Sequence, residues 1–217
     1  YMAQIFCFGD SITYGAWDVA DSGWAQGLRM YLDKKQEEDD NLYFLTYNLG
    51  IPGETTYGLI SRFLSETKAR IREERQEENI FIFAYGANDA AVIPSQNKFR
   101  VDVENFENNL ENVIDQAKKF GSKIFILNIT PVNEEFTASP VNKDKSRLNK
   151  YIETYNKKIK KIADNKNIYF IDINSAFMNN DYKSLFCEDG LHPNKFGHKI
   201  IFNELLKSMK PLIGLGG

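Results

Sequence analysis

Apolar residues recur along this chain in two rhythms. The runs Ile5–Phe8, Tyr43–Leu49, Ile80–Tyr85, Ile124–Ile129 and Ile168–Ile173 are nearly continuous, rich in Ile, Phe, Leu or Tyr. Runs of that length without polar alternation suit strands covered on both faces, as in a parallel sheet. Between them the spacing changes to three and four. Trp24, Leu28, Tyr31 and Leu32 make one stripe; Leu59, Ile60, Phe63, Leu64 and Ile71 make a second. Phe106, Leu110, Val113, Ile114 and Ala117 follow, then Ile152, Tyr155, Ile159 and Ile162, then Ile200, Ile201, Leu205 and Leu206. Each set falls on one face of a helix, and core packing accounts for it.

Strands alternating with helices imply βαβ units with right-handed crossovers. The pattern predicts an α/β fold, a three-layer α/β/α domain spanning residues 1–217, without repeats or linkers. Gly121-Ser122 is placed to end the third helix before the fourth strand. The stretch from Pro131 to Lys145 reads as a long polar loop, a length that in compact domains often serves function.

Composition narrows the classes. At 217 residues and 42% hydrophobic, the chain can bury one good core. A net charge of -3 gives no reason to expect nucleic acid or an anionic membrane surface as partner. Two cysteines, Cys7 and Cys187, do not make a disulfide framework, and with only two histidines no metal site is expected. No apolar run approaches the ~20 residues of a membrane span. No signal-peptide pattern precedes the first strand, so the expected location is the cytoplasm, with a removed leader left open.

Ligands of open parallel sheets bind beyond the carboxyl ends of the strands. Four polar stretches follow strands there: "FGDSIT" (8–13), "NLGIPGETT" (48–56), "GANDA" (86–90) and "DGLHPN" (189–194). Ser11 is a nucleophile only if a base takes its proton, and histidine is the usual base near neutral pH. His192 is the candidate. Asp189, three residues earlier in a loop bounded by Gly190 and Pro193, is spaced to turn back on the imidazole. His198, in the last helix, is expected to be packed or capping. An oxyanion needs preorganised N–H donors. Asn88 offers an amide, Ser11 its own N–H, and Gly53 or Gly50 a backbone N–H; spacing alone does not choose between the two glycines. Asp10 and Asp89 read as acceptors that fix turns.

Several chemistries lack their signatures. Gly-x-Ser-x-Gly is absent around Ser11, the first loop has no P-loop lysine, and no Gly-x-Gly-x-x-Gly opens a helix. Cys187, five residues before His192, has no oxyanion site near it in sequence.

Together the four stretches resemble, in order, the sequence blocks of the GDSL, or SGNH, hydrolase family. The resemblance spans nearly the whole chain. It implies a flavodoxin-like fold with five parallel strands in order 2-1-3-4-5. It implies Ser11 as nucleophile, Gly53 (rather than Gly50) and Asn88 as oxyanion donors, and Asp189 and His192 as the rest of the triad. Ile12 stands where the family usually has Leu. "GANDA" also resembles the corresponding block of isoamyl-acetate-hydrolysing esterases. The expected activity is cofactor-free hydrolysis of short-chain acyl esters, acetyl groups on small molecules or carbohydrates first. Trp17, in the loop after Ser11, is the candidate substrate-binding wall. Lysophospholipids and thioesters remain open on the same triad. Two rivals come from other classes: a flavin-binding electron carrier gripping phosphate with "SITYG" (11–15), and a noncatalytic sugar-binding module. Nothing in the sequence reads out an oligomeric state.

Overall fold

The computed structural model describes residues 1–217 except Glu73, Ser122, Gly216 and Gly217. Strands β1 (Met2–Gly9), β2 (Tyr43–Gly50), β3 (Glu78–Ala84), β4 (Lys123–Leu127) and β5 (Tyr169–Ile171) form one parallel sheet in the order β2-β1-β3-β4-β5. Every residue of β1 from Ala3 to Gly9 is buried. That is why the apolar run of β1 shows no alternation: a central strand has no solvent face.

Five long helices cover the sheet: α1 (Gly23–Glu38), α2 (Thr56–Lys68), α3 (Val103–Lys118), α4 (Asn149–Lys166) and α5 (Lys195–Met209). α1 packs on α5, while α2 packs on α3 and α3 on α4. A pair on one side and a trio on the other give the three layers. Alternate residues of a strand share a face, and the register pairs Phe6 with Phe81 and Phe8 with Phe83. Their ring centroids lie 4.9 and 5.9 Å apart. Phe63 of α2 closes the cluster at 5.2 Å from Phe8 and 5.4 Å from Phe81. Each such ring contributes roughly 1.5–3 kcal/mol by burial.

Some boundaries depart from the sequence pattern. α2 stops at Lys68 with Ala69 as its cap, so Ile71 lies beyond the helix, and Leu64 is exposed. α3 ends at Lys118; Gly121 follows in a left-handed conformation, and Ser122 lies outside the described residues. β5 is only three residues long because Asp172 already caps a short helix, Ile173–Met178, accepting from Ser175 N–H. β4 stops before Ile129, whose N–H and C=O bond instead to the Asn156 side chain at 2.8 and 3.1 Å. Asn149 does the same for Val132 at 2.9 and 3.0 Å. Two amides two turns apart on α4 therefore replace a strand partner for this segment. A small antiparallel hairpin, Val92–Ile93 with Lys98–Phe99, was not visible in the pattern. Within the polar loop, Glu134–Thr137 forms a short helix capped by Asn133. Among the described residues, no helix is long and apolar enough to cross a membrane.

Candidate active site

Parallel strands bring their carboxyl ends to one edge. Because β1 lies between β2 and β3, the loop carrying Ser11 lies between the loops carrying Gly53 and Asn88. Ser11 opens a four-residue helix, Ser11–Tyr14, whose cap is Asp10. One Asp10 oxygen accepts from Ile12 N–H at 2.9 Å and the other from Asn88 Nδ2 at 3.2 Å. The Asp10 carboxyl is buried, and burial pushes its pKa up to about 6, against the Ile12 N–H, His192 and Arg147. Asp89 accepts from Thr56 N–H at 2.9 Å and Thr56 Oγ1 at 2.6 Å, pinning the start of α2; burial raises its pKa to about 6 as well. Both aspartates fix turns.

The loop before α5 folds onto itself. Asp189 Oδ1 accepts from Leu191 and His192 N–H, each at 2.9 Å, and Oδ2 pairs with His192 Nδ1. His192 Nε2 lies 2.8 Å from Ser11 Oγ. Partial burial works to raise the Asp189 pKa, but the bonds from the His192 ring and the two N–H groups outweigh it and leave it lowered. A charged carboxylate on Nδ1–H leaves the Nε2 lone pair toward the serine hydroxyl. Cys187 donates its N–H to His192 O at 2.8 Å, and its Sγ contacts Pro193 O at 3.7 Å. Burial raises its pKa, which keeps it a thiol. His198 is in the first turn of α5, buried, accepting Trp24 N–H on Nδ1 at 3.3 Å.

The two glycines of the second loop differ sharply. A Cβ on Gly50 would lie 2.3 Å from Tyr14 N, so Gly50 is where the strand meets the Ser11 helix. Gly53 has φ +78°, and a Cβ there would meet nothing within 4 Å. Its N–H has no partner among the described residues. The Ser11 N–H belongs to the first turn, whose donors a helix leaves unpaired.

Five side chains that hold these donors, Glu54, Arg62, Tyr85, Arg100 and Arg147, were given no such role from the sequence. Arg62 bonds Glu54 at 2.8 and 2.6 Å, Leu49 O at 2.7 Å and Tyr85 OH at 2.8 Å, while Tyr85 OH donates to Glu54 at 2.5 Å. This network anchors the loop on either side of Gly53. Arg100 Nη2 donates to Gly53 O at 3.0 Å. Arg147, only 5% exposed, donates from Nε to Ala87 O at 3.0 Å and from Nη2 to Asn88 Oδ1 at 3.1 Å. Burial pulls its pKa down to about 10. With Oδ1 on Arg147 and one Nδ2 hydrogen on Asp10, the Asn88 amide keeps its second N–H for another acceptor. The one sequence signal for Arg147 was its place just after the polar loop.

Trp17, in a left-handed conformation with φ 68°, is 68% exposed and meets the His192 ring edge-on at 6.1 Å. A cavity of about 600 Å³ between α4 and the β5 edge includes neither Ser11 nor His192. Among the described residues, no group of three or more His, Cys, Asp and Glu side chains could hold a metal ion.

Residues 7–200 match the GDSL-like lipase/acylhydrolase family. The chain belongs to that family. Among relatives of this GDSL-like protein is the uncharacterized lipoprotein YqeF of Bacillus subtilis (strain 168), 34% identical over 132 residues. That match covers 60% of this chain and half the length of the lipoprotein. The GDSL esterase/lipase At5g45920 of Arabidopsis thaliana is 25% identical across 95% of this chain and 86% of its own. Two solved structures share the fold. A lipase/acylhydrolase from Enterococcus faecalis superposes with a TM-score of 0.73 at 23% identity, covering 100% of both chains. Axe2, an acetylxylan esterase from Geobacillus stearothermophilus, gives 0.73 at 20% identity over 95% of this chain and 94% of that one. By family, the chain stands among the carboxylic ester hydrolases.

Proposed function

We propose that this GDSL-like protein hydrolyses short-chain acyl esters, acetyl esters first, through Ser11, His192 and Asp189. The observation that carries the proposal is the continuous line from Asp189 through His192 to Ser11, closed by the 2.8 Å contact.

His192 Nε2 takes the hydroxyl proton as Ser11 Oγ attacks the ester carbonyl. Charge moves to the carbonyl oxygen, and the N–H groups of Ser11 and Gly53 with the second Asn88 N–H receive it. One such donor contributes about 3 kcal/mol to the barrier. Protonated His192 gives its proton to the leaving alcohol, then activates a water that clears the acyl-serine. Asp189 keeps the ring in the tautomer that both steps need. Trp17 forms a wall on the solvent side of His192, where the alcohol portion would lie.

The acetyl preference is supported by the acetylxylan esterase among the structures that share the fold. Lysophospholipids and thioesters would use the same triad. The flavin-carrier rival gains no support, because the Asp10 carboxylate occupies the first-turn N–H of Ile12 where a phosphate would need to sit. The test is turnover of 4-nitrophenyl acetate, butyrate and octanoate, and of acetylated xylose, by the wild type and Ser11→Ala. The acetates are expected to be the best substrates, with at least about a 10³-fold loss in the variant. Undiminished turnover by Ser11→Ala would end the proposal.

A further inference from the structure

Two guanidiniums, Arg100 and Arg147, bond the residues that carry the proposed oxyanion donors, and Lys145 lies within electrostatic reach of both; among the described residues, none of the three has a carboxylate in an ion pair. Arg100 spends Nη2 on Gly53 O, while its Nη1 is buried and has no partner. Arg147 is buried against Ala87 O and Asn88 Oδ1. Lys145 is partly buried, and its ammonium makes no hydrogen bond. Among the described residues, none of the three forms an ion pair. Burial lowers the Lys145 pKa, and both arginines lower it further; only Asp144 opposes them. Around Arg147, Asp10 and Asp189 oppose Arg100. Those two carboxylates are already committed, one to Ile12 and Asn88, the other to His192.

Holding loops accounts for Arg147 and for half of Arg100. It leaves the buried Nη1 and the whole of Lys145 unexplained. Like charges brought together in a partly dry setting destabilise the fold unless an anion completes them. The Gly53 backbone beside Arg100 is open, since a Cβ there would meet nothing within 4 Å.

We infer that the ester substrate carries an anionic group, a carboxylate or a phosphate, which sits against Arg100, Lys145 and Arg147 while its carbonyl lies at Ser11. This rests on the esterase reading above and narrows its substrate class. Guanidinium and ammonium together suit such a group, the first by paired N–H donors and the second as a point charge.

The experiment compares matched neutral and anionic esters on the full chain. On the alcohol side, phenyl acetate is set against 4-acetoxybenzoate and 4-acetoxyphenyl phosphate. On the acyl side, 4-nitrophenyl butyrate is set against 4-nitrophenyl hydrogen succinate. At low salt at least one anionic ester should exceed its neutral counterpart by about tenfold in kcat/KM, chiefly through KM. That ratio should shrink in about 0.5 M sodium chloride. It should fall toward one in Lys145→Gln and return in Lys145→Arg. Neutral esters turned over with no anionic preference, or a preference unchanged in Lys145→Gln, would overturn the inference and leave the esterase reading standing. Absence of turnover for every ester with the wild type would overturn both.

Discussion

Asp10 and Asn88 are joined at 3.2 Å, carboxylate to amide, across the ends of β1 and β3. The residue beside Ser11 thereby orients the Asn88 amide, an oxyanion donor of the proposed mechanism. Removing the amide in Asn88→Ala should lower kcat by about 10²–10³ with KM little changed. In Asp10→Asn, an amide donor opposes either Ile12 N–H or Asn88, so kcat should fall by about tenfold or more at constant KM. Steady-state kinetics on an aryl acetate checks both; a rise in KM alone would assign Asn88 to ground-state binding.

Gly50 and Gly53 should respond to alanine in opposite ways. Gly50→Ala drives a Cβ onto backbone at 2.3 Å, and the fold should lose about 3 kcal/mol or more. Gly53→Ala meets only the left-handed backbone, at about 1–2 kcal/mol. Urea unfolding of the two variants gives the order directly.

The Glu54–Arg62 pair anchors the Gly53 loop with side chains only 8% and 12% exposed. Glu54→Ala leaves the guanidinium without its carboxylate and should destabilise by about 3 kcal/mol or more. Replacing both residues with Leu should recover part of that stability without restoring kcat, because the loop loses its polar ties to Leu49 O and Tyr85. Urea unfolding with parallel assays separates the two effects.

His198 gives a pH signature. Burial lowers its pKa from the ordinary 6.5 to about 4. The unfolded chain binds this proton more readily, so the contribution is present above pH 6.5 and lost as pH falls toward 4, on the order of 3 kcal/mol. Asp10 and Asp89, raised to about 6, act oppositely: their charged forms are penalised above that value, and stability is regained toward pH 4. The wild type alone therefore shows partly cancelling slopes. The difference between wild type and His198→Phe in urea midpoints at pH 7 and pH 5 isolates the histidine, and the variant should lose less on acidification.

The strands were legible because a doubly covered parallel strand needs unbroken apolar residues, as β1 shows. Edges were less so: at Ile129, amides from α4 take over the pairing, and no local pattern announces an amide clip. That Ser11, Asp189 and His192 would meet could be read because each lies in a loop after a strand, and parallel strands bring those loops to one edge. Arg62, Arg100 and Arg147 could not, since a charged residue in a polar stretch reads as surface. Only tertiary crossing of the loops shows which arginines are turned inward.

The central claim is that His192 activates Ser11. Its most direct test is covalent labelling by a fluorophosphonate, with the site mapped by mass spectrometry and the rate followed in the wild type and His192→Ala. One equivalent on Ser11, formed at least about 10³-fold more slowly without the imidazole, is the predicted result. Modification at another residue, or an equal rate in His192→Ala, would contradict it.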